Sequence, residues 1–302
     1  VSIEGDGRTV VGLGEVLWDL LPQGKQLGGA PANFAYMSAL LGHRAVVASR
    51  VGADALGQEL RTRLADLGVD SLKVETDGDH PTGTVAVHLD ARGQPSYDIT
   101  RDVAWDFLAW TPEWKRLAAE ADVICFGSLA QRSAESCATI QSFLRASRPG
   151  AIRIFDVNLR QQFFSSDILA ESLSLANVAK LNDAELPVVM RLLGLEHRDE
   201  KSSAATLRRD FGLELVSITR GSRGSVLLRG DDCDDHSGFA VQVADLVGAG
   251  DAFTAALAHH LLRESPLGVA NAAANRLGAW VASRRGATPP GDPEVLRKVR
   301  NS

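Results

Sequence analysis

The sequence predicts an α/β fold, a mostly parallel sheet covered by helices on both faces with a small second sheet beside it. Two observations predict this. Short β-branched runs alternate with amphipathic segments through most of the 302 residues, as expected when each buried strand is followed by a crossover helix. Two stretches, 15–26 and 84–99, break that rhythm and alternate apolar with polar residues singly, the pattern of exposed antiparallel ribbon.

Taken in order, the first strand is read at Val10 to Leu13. A helix opens at Pro31, whose fixed φ suits a first helical turn, carries Phe34, Met37, Leu40 and Leu41, and stops at Gly42. Val46 to Val51 reads as a strand, and Leu56 to Leu67 as a helix closed by Gly68. Later strand-helix pairs begin at Val123 to Phe126, Ile152 to Asp156, Val178 to Leu181 and Leu215 to Thr219, so about eight or nine strands are expected in the sheet. The ribbon at 84–99 contains a turn signal at Asp90-Ala-Arg-Gly93. Because the two ribbons share one character, they are expected to pair as a sheet standing off a single domain of residues 1–302. Segments 15–27 and 84–107 would then act as a lid. The acidic run Asp231 to Asp235 is expected to be a solvated turn between strands at Val226 to Leu228 and Phe239 to Val243.

With 45% hydrophobic residues the chain can bury a large core. A net charge of −6 disfavours nucleic acid as a partner, since phosphate-backbone binding needs clustered Lys and Arg. Three cysteines without a C-x-x-C pair argue against a disulfide framework or a zinc site and suit a reducing cytoplasm. No apolar stretch reads as a signal peptide or a membrane span, and the start at Val1 suggests trimming.

Two familiar phosphate-binding devices are missing. Gly12-Leu-Gly14 follows a strand as a dinucleotide fingerprint would, but Leu17 occupies the third glycine position and ribbon follows instead of helix. Gly24-Lys25 is followed by Gln26 and preceded by Asp19, so the Ser or Thr and the first glycine of a P-loop are both absent.

The chemistry gathers at Gly248-Ala249-Gly250-Asp251, directly before an apolar-periodic helix with Phe253, Ala256, Leu257 and Leu261 on one face. The first amides of a helix have no internal partners and lie at the positive end of its dipole, which favours an anion. Asp251 beside those amides can accept a hydroxyl proton while they stabilise a phosphoryl group in transfer. Alone, the segment reads equally well as an ordinary helix start.

In company it says more. The run Asp245-Leu-Val-Gly-Ala-Gly-Asp-Ala-Phe253 resembles the C-terminal signature of the ribokinase-like sugar kinases, the PfkB carbohydrate kinase family, and the likeness is greatest to its fructokinase and 2-keto-3-deoxygluconate kinase branch. The resemblance extends over nearly the whole chain. It implies a ribokinase-like three-layer sandwich, ATP and Mg2+ as cofactors, possible use of a monovalent cation such as K+, and Asp251 as catalytic base with Gly248, Ala249 and Gly250 around the anion hole. Leu246 departs from the family's usual Thr and removes a hydroxyl near the nucleotide phosphates or the monovalent cation. Gly28-Gly29-Ala-Pro-Ala-Asn33 matches the family's Gly-Gly-x-x-x-Asn, which implies sugar contacts for Gly28, Gly29 and Asn33. Gly14 to Asp19 resembles the strand that brings Asp19 to sugar hydroxyls, and Gly52-Ala-Asp54-Ala-Leu-Gly57 a recurrent turn read as structural. Asp156-Val-Asn158-Leu-Arg160 resembles the family's Asp-x-Asn-x-Arg, with Arg160 near phosphate or sugar. Lys180-Leu-Asn182-Asp-Ala-Glu185 resembles the family's Asn-x-x-Glu, which implies that Glu185 serves magnesium through water; without the family, Asp183 reads as a cap or first-turn acid. Thr219-Arg220-Gly221-Ser-Arg-Gly224 resembles a nucleotide-contacting turn, and Asn275 with Gly286-Ala287 falls where the family packs adenine.

His259 and His260 lack an acidic or cysteine partner at metal spacing and read as a half-buried or surface pair. Trp18 and Trp105 either face a sugar beside the lid or pack into the core. The resulting expectation is a phosphotransferase that moves the ATP γ-phosphoryl group to a monosaccharide hydroxyl, fructose first. 2-Keto-3-deoxygluconate, ribose and nucleosides are the alternative acceptors, and a non-catalytic sugar- or nucleotide-binding regulator is the alternative class. Exposed ribbon also makes a homodimer through the lid an expected assembly.

Overall fold

Strand and helix alternate in a computed structural model that describes residues 7–21, 24–89 and 95–302. The N-terminal part runs β1 (Thr9–Leu13), β2 (Leu17–Leu21), β3 (Gly24–Gly28), α1 (Ala30–Leu40), β4 (Arg44–Gly52), α2 (Ala55–Asp66), β5 (Val74–Asp77), β6 (Thr84–Leu89) and β7 (Pro95–Ile99). After a short 3-10 turn at Ala104–Phe107 come α3 (Pro112–Glu120), β8 (Val123–Phe126), α4 (Ala134–Arg145), β9 (Ile152–Asp156), α5 (Ser166–Leu175), β10 (Val178–Asn182), α6 (Glu185–Leu192) and α7 (Glu200–Phe211). The chain ends in β11 (Leu215–Thr219), β12 (Ser225–Arg229), β13 (Asp232–His236), α8 (Ala249–Leu262), α9 (Leu267–Ala282) and α10 (Pro293–Arg300).

A nine-stranded sheet with the order β13-β12-β11-β10-β9-β8-β1-β4-β5 forms the middle layer. It is parallel from β11 to β5 and antiparallel only at β11–β12 and β12–β13. Alternation along each strand feeds two cores. Val10, Val123, Cys125, Ile154 and Val178 pack with α1, α2, α8, α9 and α10, while Val11, Ile124, Phe126, Phe155 and Ala179 pack with α3 to α7. Caps hold several helix starts: Asp54 accepts the Gly57 amide at 2.8 Å ahead of α2, and Asp199 the Ser202 amide at 3.0 Å ahead of α7.

The two irregular stretches do form a separate sheet, ordered β3-β2-β6-β7. Its two hairpins are antiparallel, but they join through parallel pairing of β2 with β6, Trp18 opposite Thr84 to Leu20 opposite Ala86. The turn signal at 90–93 lies outside the described residues. Past Ile99 the chain leaves this sheet, because residues 103–108 bury Val103, Ala104, Trp105 and Leu108 in the main core. Trp105 is therefore core, and Trp18 is too: it is 4% exposed with its indole N–H donating to the Leu56 carbonyl at 3.0 Å.

Two sequence expectations are corrected. The acidic run is itself the edge strand β13, pairing Asp232 with Arg229 through His236 with Ser225, and 239–243 forms no strand. Charge on an edge strand is tolerated because one side faces water, and Asp234 and Asp235 are taken up by Asn271 and Arg220. His259 and His260 are buried, at 4% and 1% exposure. His259 Nδ1 stands 2.9 Å from His43 Nε2, and His260 bonds the Ser265 hydroxyl and the Val299 carbonyl. The mean polarity of a helix conceals which of its turns faces a neighbour; here α10 and the turn at His43 cover that end of α8.

Candidate active site

The C-terminal ends of β1, β9 and β10 converge beneath the N-terminus of α8, where an open α/β sheet gathers ligands. Gly248 caps α8 in the left-handed region, with φ 79° and no side-chain cap. The Ala249 amide turns back to the Leu246 carbonyl at 3.3 Å, and Ala252 closes the first helical bond to Gly248 at 2.9 Å. That position leaves the Gly250 and Asp251 amides as the ones without a helical acceptor. Asp251 enters the first turn of α8, and its Oδ2 accepts a 2.8 Å hydrogen bond from Asn33 Nδ2 of α1. Asn33 is 4% exposed and its Oδ1 has no hydrogen-bond partner among the described residues.

The expected sugar-side residues are brought together. A Cβ on Gly28 would fall 2.3 Å from Asp19 Oδ2, and one on Gly29, whose φ is 101°, 2.5 Å from the Glu15 carbonyl, so side chains there would displace the carboxylate or the backbone. Arg160 ties the group electrostatically. Its guanidinium opposes the upward push of burial on Asp19 and lies among the groups acting on Glu15 and Asp251.

The expected nucleotide-side residues lie along the next strands. Asn182 and Thr219 are register partners at the ends of β10 and β11. Asn182 and Glu185 bond reciprocally ahead of α6: Asn182 Oδ1 accepts the Glu185 amide at 2.8 Å, and Glu185 Oε2 accepts the Asn182 amide at 2.9 Å. Glu185 Oε1 takes the Leu159 amide at 2.9 Å, one residue before Arg160. Each oxygen keeps a lone pair for water, so the carboxylate suits a hydrated divalent cation. Among the described residues no three His, Cys, Asp or Glu side chains converge on a direct metal site. Arg220 is committed to Glu200 and Asp235, and Gly224 abuts the His236 carbonyl, where a Cβ would come within 1.9 Å. Gly221 takes φ 57° in the turn between them. Asn275 is buried, donating to Ser225 Oγ at 2.7 Å and to the Asn271 carbonyl at 2.9 Å. Leu246 points outward at 70% exposure, whereas Asp245 clamps the neighbouring loop by accepting the Val247 and Gly286 amides at 3.0 Å each.

The pfkB family carbohydrate kinase model matches residues 22–294 of this sequence. The chain belongs to the pfkB family of carbohydrate kinases. Fructokinase of Escherichia coli is 32% identical over 259 residues, 81% of either chain. An uncharacterized sugar kinase of Pyrococcus horikoshii in complex with ATP superposes with a TM-score of 0.78 at 27% identity, covering 97% of this chain and 99% of that one. Fructokinase of Vibrio cholerae O395 in its fructose, ADP and calcium ion bound form superposes with a TM-score of 0.79 at 25% identity, covering 96% and 98%.

This carbohydrate kinase also holds charged groups at the site that motif reading passed over. Glu15 is 3% exposed, its Oε2 has no partner among the described residues, and burial pushes its pKa to about 7. Asp156 and Lys180 form a buried pair under α8, at 3.0 Å. Both lie inside motifs read for their neighbours, Asn158, Arg160 and Asn182. The available signal was a charged residue at an inward position of an otherwise apolar strand, Lys180 between Ala179 and Leu181. No helix of the described residues is long and apolar enough to cross a membrane.

Proposed function

We propose that this kinase transfers the γ-phosphoryl group of ATP to a primary hydroxyl of a monosaccharide, with fructose the preferred acceptor. The observation that carries the reading is the hydrogen bond from Asn33 to Asp251, which joins the sugar motif of α1 to the helix start that can take a proton and hold an anion. In this reading Asp251 removes the hydroxyl proton, and the Gly250 and Asp251 amides hold the equatorial oxygens of the group in transfer. Asp19, Gly28, Gly29 and Arg160 orient the sugar. Asn182, the turn from Thr219 to Gly224, and Asn275 line the nucleotide side, and Glu185 holds Mg2+ through water. A bound magnesium ion supplies charge neutralisation at the phosphate oxygens.

The likeness to fructokinases supports fructose. ADP release measured with ATP, magnesium and a panel of fructose, 2-keto-3-deoxygluconate, ribose and a nucleoside is expected to give fructose the highest kcat/KM, by about tenfold or more, as expected where buried polar groups of a site are matched by one acceptor and left unpaired by another. Another leading acceptor would replace fructose; no ADP with any member would remove the kinase reading.

The small sheet serves as the lid in this proposal, and its edge strands β3 and β7 have no outer neighbour among the described residues. Such edges pair readily with a second copy. Sedimentation at micromolar concentration is expected to show a dimer, and a strictly monomeric profile would exclude pairing through the lid. A cytoplasmic setting goes with this reading, because ATP and sugars meet there.

A further inference from the structure

Below the Gly248 to Asp251 turn, Lys180 and Asp156 are register partners on β10 and β9. Alternation sends both side chains toward the α8 layer, since Val178 and Ile154, two residues earlier on each strand, pack there. Lys180 Nζ lies 3.0 and 3.2 Å from the two Asp156 oxygens. Thr254, on the next turn of α8, uses its hydroxyl between Asp156 Oδ2 and the Gly250 carbonyl, 2.9 Å from each. The side chains of Lys180 and Asp156 are 9% and 6% exposed. Gly250 has no side chain where one would press on this pair: a Cβ there would stand 3.0 Å from Lys180 Nζ.

An ammonium buried this deeply is expensive unless anions hold it. Burial opposes its charge, but Asp156, Glu185 and Asp251 more than offset that and raise its pKa above the ordinary lysine value. The cation is therefore permanent at neutral pH, and it lies directly behind the backbone that would face the phosphoryl group. The second glycine of the turn thus has a reason beyond access for a phosphate, because it lets a fixed positive charge approach from the protein side.

We infer that Lys180, clamped by Asp156 and linked to α8 through Thr254, is a positioning residue for phosphoryl transfer that seats the Gly248 to Asp251 turn. The inference rests on the reading of Asp251 as base. The charged or titratable groups facing Asp251 are Glu15 after β1, the buried Cys125 thiol on β8, Asp156 on β9, Arg160 after β9 and Lys180 on β10, with the Asn33 amide from α1. Of these, Lys180 and Arg160 favour the carboxylate, and Asp156 and Glu15 oppose it.

The test is the pH profile of kcat/KM for Lys180→Met and Lys180→Arg, with unfolding midpoints measured alongside. Lys180→Met is expected to lower kcat at pH 7 by about 10- to 100-fold, to change KM for sugar by less than about threefold, and to move the acidic limb upward by about one pH unit. Lys180→Arg is expected to keep the limb near its original position. A loss equal at every pH with an unmoved limb, or a kcat within about threefold of the unsubstituted chain, would overturn the inference. Should Lys180→Met fail to fold, Thr254→Val removes the hydroxyl link without touching the charge. It is then expected to lower kcat about 3- to 10-fold at unchanged KM, and an unchanged kcat would overturn the inference equally. Failure of the base reading is separable, since it shows as near-normal turnover in Asp251→Asn, whatever the limb does in the Lys180 variants.

Discussion

Asp251→Asn is expected to lower kcat by about two to four orders of magnitude while the protein folds and becomes more stable at neutral pH. The amide keeps the shape of the first turn of α8 but cannot take a hydroxyl proton. The gain in stability follows from where the carboxylate sits. Burial first, and then the charge of Asp156, push its pKa to about 6 from 3.8, although Asn33, Lys180 and Arg160 pull the other way. The folded chain therefore holds the Asp251 proton at pH values where the unfolded chain has released it, so stability drains away as pH rises from about 3.8 through about 6. Asparagine carries no such cost. Its stabilising effect should be complete above that window and vanish below it, as thermal unfolding at pH 3.5 and 7.5 would reveal. The same protonation should bring down kcat/KM of the unsubstituted enzyme below pH about 6. Asp19, raised by burial to about 6, and Glu15, at about 7, titrate nearby and should broaden that limb. Turnover of Asp251→Asn close to that of the parent would dismiss the carboxylate as base.

The second large effect is expected from Gly248→Ala, with a loss of about 100- to 1,000-fold in kcat. Gly248 takes φ 79°, and a Cβ there would meet the Ala287 Cβ at 2.6 Å and its Cα at 2.7 Å. The left-handed conformation alone costs about 1–2 kcal/mol for a residue with a Cβ. The collision adds to that and cannot be relieved by a rotamer change, because the obstacle includes backbone. The turn must shift, and the Gly250 and Asp251 amides shift with it. Donors that stabilise a transition state must lie within a few tenths of an ångström of place, so the chemistry should suffer far more than the fold. A steady-state assay beside an unfolding curve separates the two. A kcat within about threefold of the parent would show that the turn does not hold the group in transfer.

The sequence by itself determined the α/β class, the strand-helix order and the turn at Gly248 to Asp251, because each rests on local chemistry: periodicity, a proline in a first helical turn, or glycines where the backbone must bend left or be approached closely. The same local logic misplaced the last hairpin. Asp232 to Asp235 looks like solvated loop, and becomes a strand only because β12 offers partners and Asn271 and Arg220 absorb the charge. It also put His259 at or near the surface, where the fold buries it against His43, 216 residues away. At the site, tertiary structure alone decided that Asn33 holds Asp251 across 218 residues, and that Asp156 meets both Lys180 and Thr254. A buried charge is stable only beside partners that the fold supplies, and partners so distant in the chain leave no spacing to read. The segment that can carry the chemistry is visible as a motif, while the cation behind it becomes visible only when β9, β10 and the start of α8 are set side by side.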